Sequence, residues 1–186
     1  MKTRKLLAAL LIVCCSAGAF PQNVKTLTND DFFPWQGNGF YAAVDYNWMA
    51  SGKEKYSVTG VKAFFLKDHR YGLGFGFSSA DRINLTGREI TSLNYGGPEL
   101  VYFIAPKKLI FPSLHLFSGL AYCRNCHNND LLQWFVEPGV KLHLNVASFM
   151  RFSLNANYRY FQDKPGFSLQ ALNGLNFGFS VAYGKF

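Results

Sequence analysis

The sequence predicts an all-β fold: an eight-stranded antiparallel up-and-down barrel that crosses a membrane. Three observations predict it. Long stretches alternate between apolar and small or polar residues. In the final stretch Leu175, Phe177, Phe179, Val181 and Tyr183 oppose Asn176, Gly178, Ser180, Ala182 and Gly184. A period of two is a strand, not a helix. The chain is also rich in aromatic residues (17%) and poor in charge (16%), the reverse of a soluble surface and suited to a wall that faces lipid. Finally, the polar connections alternate between short and longer, as in a barrel with both chain ends on one side of the membrane.

The chain opens with a targeting pattern. Lys2, Arg4 and Lys5 precede ten apolar residues, Leu6–Cys15, and Ala17-Gly18-Ala19 supplies small residues for cleavage. Residues 1–19 read as a signal peptide removed before Phe20. The apolar run is too short to cross a hydrocarbon core of roughly 30 Å as a helix. Cys14 and Cys15 lack the small preceding residue of a lipid-anchor site, and leave with the signal. No other stretch reads as a transmembrane helix. Residues 20–38 form a lead-in, polar over Asn23–Asp31 and aromatic at Phe32-Phe33-Pro34-Trp35. It reads equally as a tail or as a segment tucked into the barrel mouth, with Trp35 suited to an interface. The barrel itself is expected over 39–186, one domain by length.

Each strand follows from its alternation. The first, about Gly39 to Ala50, puts Phe40, Ala42, Val44, Tyr46 and Trp48 on one face and Tyr41, Ala43, Asp45 and Asn47 on the other. The second runs from about Tyr56 to Lys67; its phase blurs near Gly60, where a bulge would turn Val61, Ala63 and Phe65 outward and Lys62 inward. The third, Tyr71 to Ser79, alternates Tyr71, Leu73, Phe75 and Phe77 with Gly72, Gly74, Gly76 and Ser78. Ala80 to Ser92 is polar and reads as a long loop, with room for strand extensions at its ends. The fourth, about Asn94 to Ala105, points Leu100, Tyr102 and Ile104 outward and Glu99 inward. The fifth, Leu109 to Cys123, points Leu114, Leu116, Leu120 and Tyr122 outward and Ser113, His115, Phe117 and Gly119 inward. Arg124 to Asp130 reads as a polar loop. The sixth, Leu131 to Ala147, has Val140, Leu142, Leu144 and Val146 outside against Glu137, Lys141, His143 and Asn145. The seventh, Met150 to Phe161, sets Phe152, Leu154, Ala156, Tyr158 and Tyr160 against Arg151, Ser153, Asn155, Asn157 and Arg159. A loop with Lys164-Pro165-Gly166 leads to the eighth. Pro98 and Pro138, beside Glu99 and Glu137, call for bulges or strand ends.

In lipid every backbone polar group must find a partner, so the sheet must close. Eight strands enclose a space that side chains fill. The inward charges Asp45, Lys62, Glu99, Glu137, Lys141, Arg151 and Arg159, with His115 and His143, are then expected to pair as a structural network, since a buried unpaired charge is costly. The same set read as a proton or ion path suits a filled lumen poorly. A soluble, lipocalin-like barrel would need the faces reversed, with more aromatic bulk than eight strands can hold.

Cys123-Arg124-Asn125-Cys126 is the cysteine pair left after processing. No second CxxC and no βαβ pattern accompany it, and His127 alone cannot complete a zinc shell. In an exported chain the pair reads as a small disulfide at a loop edge, with free thiols the alternative. The net charge of +8 includes three basic residues of the removable segment. The remaining basic residues are dispersed, which disfavours nucleic acid as a partner. A lipid-modifying enzyme is the alternative function, but the His-x-Ser-Asn pattern of lipid A deacylases is absent. His115 and Ser118, three apart, fall on opposite faces of a regular strand. No catalytic residue, metal or cofactor is expected.

Two resemblances add to this. The C-terminal strand, with Phe177, Phe179, Val181, Tyr183 and the final Phe186, resembles the assembly signal of bacterial outer-membrane barrels. It departs from it in spacing, since Tyr183 stands three residues before Phe186 where the signal has an aromatic two before. Phe135-Val136-Glu137-Pro138-Gly139-Val140, Leu142 to Val146, Met150-Arg151-Phe152, Tyr158-Arg159-Tyr160, Gly184-Lys185-Phe186 and Tyr95-Gly96-Gly97 resemble a widespread, largely uncharacterised group of small bacterial outer-membrane β-barrel domain proteins. The resemblance implies an eight-stranded barrel in the outer membrane. Its partners would be outer-membrane lipid and lipopolysaccharide, the barrel assembly machinery, and whatever unknown ligand the surface loops bind. It carries over no catalytic residue. The expected role is structural or interactive, and not enzymatic.

Overall fold

The computed structural model describes residues 26–27, 38–51, 54–85, 88–126, 129–162 and 169–186; residues 1–19, Phe32–Trp35 and most of the lead-in lie outside them. Eight strands follow one another: β1 (Gly39–Ser51), β2 (Glu54–Lys67), β3 (Tyr71–Leu85), β4 (Arg88–Phe103), β5 (Ile110–Cys126), β6 (Asn129–Ala147), β7 (Met150–Phe161) and β8 (Gly174–Lys185). Each pairs antiparallel with the next, and β1 pairs β8 from Phe40↔Lys185 to Ala50↔Leu175 to close the ring. Closure leaves no sheet edge within the ring.

The faces divide as the alternation predicts. Phe65, Leu73, Phe75, Phe77, Leu100, Leu114, Val140, Leu154 and Phe177 are exposed on the outer wall, while Asp45, Lys62, Glu99, Glu137, Lys141, Arg151 and Arg159 are all at most 6% exposed. That division rules out the reversed, lipocalin-like arrangement: an outer wall of this kind is stable only against lipid. In the second strand the ladder runs without a shift through Val44↔Val61 and Asp45↔Gly60, so no bulge is present. Val58 simply faces inward, fully buried. Pro98 and Pro138 likewise need no bulge. Gly96↔Leu120 and Glu99↔Phe117 keep one register around Pro98, and Val136↔Tyr160 and Gly139↔Asn157 keep one around Pro138. Pairing lapses for two residues on one side, which absorbs the missing N–H, while the other side stays paired.

The expected polar loops are largely strand. β3 and β4 pair out to Leu85↔Arg88, and β5 and β6 out to Cys126↔Asn129. β2 meets β3 only as far as Thr59↔Ser79, and β7 reaches β6 only at Phe135↔Phe161. The two hairpins therefore rise above the closed ring, joined to each other through β4 and β5 as far as Ser92↔Arg124, and their arms part only beyond that pair. At the opposite end the connections are tight, with Asp68, His69 and Ala105 at positive φ.

Inside, two apolar clusters occupy the two ends. One, beside the arms, joins Met49, Tyr56, Val58, Leu93, Tyr95, Phe117, Phe135 and Phe161. A 3₁₀ turn, Leu169–Leu172, dips into it with both leucines buried, held by Leu169 N–H on Gln133 Oε1 (3.1 Å) and Phe161 N–H on Asn173 Oδ1 (2.7 Å). The other cluster, by the tight turns, joins Tyr41, Phe64, Leu66, Val101, Phe103, Phe111 and Phe186. Nearby, Leu27 N–H reaches Asn145 O at 3.1 Å, so the lead-in touches the barrel at this end.

His69, in the turn between β2 and β3, gives one pH dependence. Burial, with Lys185 and Lys107 nearby, pushes its pKa down to about 4 from 6.5. The folded state thus holds the ring neutral where the unfolded chain would protonate it. This contribution to stability is complete above pH 6.5 and is lost as pH falls toward 4. Urea unfolding in detergent micelles from pH 7 to 4 should show that decline, and His69→Gln should remove it.

Candidate functional site: the lumen belt and the rims

Between the two apolar clusters lies a belt of charge. Its inward positions on adjacent strands sit at cross-strand neighbours, such as Ala43↔Lys62 beside Asp45↔Gly60, because alternation sends every second side chain into the lumen. Lys62 Nζ is the hub, 2.9 Å from Asp45 Oδ2 and 2.6 Å from Glu99 Oε2. Lys141 Nζ approaches the same carboxylates at 3.9 and 3.6 Å. Glu99 Oε1 also meets His115 Nδ1 at 3.1 Å, and His115 Nε2 meets Asn157 Oδ1 at 2.7 Å. Asn157 then donates to Glu137 Oε1 at 3.0 Å, and Glu137 Oε2 takes Arg159 Nε at 2.6 Å and Nη2 at 2.5 Å. Arg159 Nη1 lies 2.9 Å from Met49 Sδ, Nη2 donates to the Tyr95 hydroxyl, and the guanidinium stacks 3.9 Å above the Tyr95 ring.

Six of the seven inward charges expected to pair thus form one network with His115 and Asn157. Arg151 stands apart. Its Nε donates to Asn145 Oδ1 at 2.9 Å, and its guanidinium sits 4.0 Å from the Phe186 ring and 4.7 Å from that of Phe111. The aromatic faces supply the negative field that a carboxylate supplies elsewhere. Sequence reasoning missed this arrangement, because alternation places Arg151 inside without saying what lies across the lumen.

His143 holds Ser113 Oγ at 2.7 Å and Ser153 Oγ at 2.6 Å, stacked on Phe111, and all four are buried. Their rings and hydroxyls serve to satisfy one another. His115 faces the lumen, whereas Ser118 on the regular β5 ladder takes the opposite parity, so the two do not meet. Among the described residues no group of three His, Cys, Asp or Glu could hold a metal.

The residues of the C-terminal signal divide between the faces. Leu175, Phe177 and Val181 are exposed. Phe179 joins an outer aromatic patch with Tyr46, Trp48 and Phe152, and Tyr183 packs on Phe149 at 5.2 Å. Phe186 instead turns inward, 1% exposed and 5.2 Å from Tyr41. The three-residue spacing from Tyr183 places the two rings on opposite faces.

Cys123 is fully buried in the upper apolar cluster and disulfide-bonded. The side chain of Cys126 lies outside the described residues, but the β5–β6 register shifts between Cys123 and Cys126, where the expected disulfide would fall. Alkylation of the unfolded mature protein should label neither cysteine before reduction and both after it. Closing so short a loop limits the stabilisation to about 2 kcal/mol, so Cys126→Ser should loosen the arm and leave the ring folded.

Solved structures share this architecture. Neisserial surface protein A (NspA) superposes with a TM-score of 0.59 at 13% identity, covering 81% of this chain and 98% of that one. The N-terminal β-barrel domain of Pseudomonas aeruginosa OprF gives 0.58 at 12%, covering 80% and 99%. The outer membrane protein OprG from Pseudomonas aeruginosa gives 0.51 at 8%, covering 80% and 95%. No protein-family model matches the chain, and no curated protein matches it. The fold is that of the small, eight-stranded transmembrane barrels.

Proposed function

We propose that the protein is a non-enzymatic component of the bacterial outer membrane, whose ring anchors surface-exposed arms for structural or binding roles. The observation that carries this reading is the lumen: a paired charge belt between two apolar clusters, inside a wall of exposed Leu, Phe and Trp side chains. Such an interior gives rigidity and leaves the polar arms of β3–β4 and β5–β6 as the parts able to meet a partner. The similarity of the fold to outer-membrane barrels supports the location.

Fractionation of cells producing the full chain, followed by gel mobility with and without boiling, tests the location and the closed ring together. A heat-shifted band in the outer-membrane fraction is the expected result; an unshifted soluble protein would overturn the reading. Release of fatty acid from lipid A by the purified barrel would overturn its non-enzymatic half.

A further inference from the structure

The tight-turn end of the barrel carries two adjoining depressions. The first has a volume of about 530 Å³ and is lined by Asp68, His69, Arg70, Pro106, Lys107 and Lys108. The β2–β3 and β4–β5 turns form its walls and bind each other through Phe103 N–H on Arg70 O at 2.8 Å. Three cationic side chains face one carboxylate, and the depressed pKa of His69, caused partly by Lys185 and Lys107, reports the same excess of positive charge. The second depression, about 360 Å³, lies on the outer wall over β3, β4 and β5, lined by Tyr71, Leu100, Tyr102, Leu114 and Leu116. It is almost wholly apolar. The two adjoin, because Arg70 lines one and Tyr71 the other, and Tyr71 and Tyr102 stand side by side at the boundary, ring centroids 5.4 Å apart.

From this juxtaposition we infer a binding site for one anionic glycerophospholipid, its phosphate between the two basic turns and an acyl chain in the groove over β3–β5. The inference rests on the proposed membrane location. A phosphate group suits Arg70, Lys107 and Lys108, which offer charge-assisted hydrogen bonds. The groove removes apolar chain from neither water nor protein core, so it selects by shape and position while the turns select by charge. The tyrosine pair lies where chain meets headgroup, the position that amphipathic rings favour. A free inorganic phosphate would use the first depression alone and gain nothing from the second.

Native mass spectrometry of the folded, full-length mature barrel from detergent tests this, with phosphatidylglycerol, phosphatidylcholine and glycerol 3-phosphate as probes. One phosphatidylglycerol should stay bound under conditions that strip phosphatidylcholine and glycerol 3-phosphate. The variant Arg70→Gln with Lys107→Gln and Lys108→Gln should lose retention by about tenfold or more, equivalent to about 1.4 kcal/mol. Leu114→Trp, which fills the groove from the lipid side, should weaken phosphatidylglycerol and leave glycerol 3-phosphate unchanged. Equal retention of both lipids, or full retention by the triple variant, would overturn the inference. Tight glycerol 3-phosphate binding that ignores Leu114→Trp would reduce the site to a phosphate pocket and overturn it too. Each variant is first checked for the heat-shifted band, and loss of that band in the wild-type protein would instead defeat the membrane reading.

Discussion

Lys62→Met should destabilise the barrel by about 3–5 kcal/mol, the cost of breaking a buried ion pair from one side. Lys62 holds two carboxylates at 2.9 and 2.6 Å, whereas Lys141 approaches them at 3.9 and 3.6 Å, beyond hydrogen-bond distance. The substitution leaves Asp45 and Glu99, both fully buried, sharing Lys141 as their remaining ammonium partner. Methionine keeps the length and the contact with the Phe117 ring, over which the ammonium now sits at 4.7 Å, so the change is in charge and not in volume. The measurement is the urea midpoint for loss of the heat-shifted band. A quadruple variant, Lys62→Met and Lys141→Met with Asp45→Asn and Glu99→Gln, should recover most of the loss, because it leaves no charge of this cluster unpaired. If Lys62→Met alone were neutral, the belt would not be a structural network.

Gly119→Ala should be as damaging for a different reason. A Cβ on Gly119 would meet Gly96 O at 2.1 Å, and one on Gly97 would meet Ser118 O at 2.1 Å. Both obstacles are backbone, which cannot rotate away. This close approach lies beside Pro98, where the β4–β5 ladder skips two residue pairs and the strands press together. Overpacking of this kind costs about 1–3 kcal/mol in an ordinary core. Here the displaced atoms are strands of the ring itself, so we expect the upper end of that range or more. Refolding into detergent should be impaired for Gly119→Ala and for Gly97→Ala, whereas an alanine at Gly72, whose nearest neighbour is the Leu66 side chain at 3.3 Å, should be mild.

The faces of the strands were legible wherever lipid outside and a polar belt inside impose opposite demands on successive residues. Where those demands relax, the signal fades. Ala80–Ser92 reads as a loop because its residues are largely polar and carry no apolar alternation to mark a strand. The phase of β2 near Gly60 blurred because Val58 lies in the apolar cluster at the end of the lumen, where inside and outside are both apolar. Pro98 and Pro138 suggested bulges, since sequence cannot show that a neighbour yields two pairs on one side only. The membership of the charge belt could be named residue by residue. Its wiring could not: that Lys62 bridges Asp45 and Glu99, or that Arg151 takes Phe186 and Phe111 as partners, depends on which strands face each other across the closed ring.

The position of the belt between its two apolar clusters also decides how it answers to ionic strength. Dissolved salt weakens an ion pair only where mobile ions can gather around it, with a screening length of about 8 Å at 0.15 M. Lys62, Glu99, Glu137 and Arg159 have hydrocarbon-facing wall around them and packed side chains above and below, so no ion atmosphere can form there. Salt therefore screens their attraction much less than it screens an exposed pair. The basic turns of Arg70, Lys107 and Lys108 lie outside that enclosure and answer to every change in the medium. One short chain thus holds charges of both kinds, one set insulated from the environment and the other open to it.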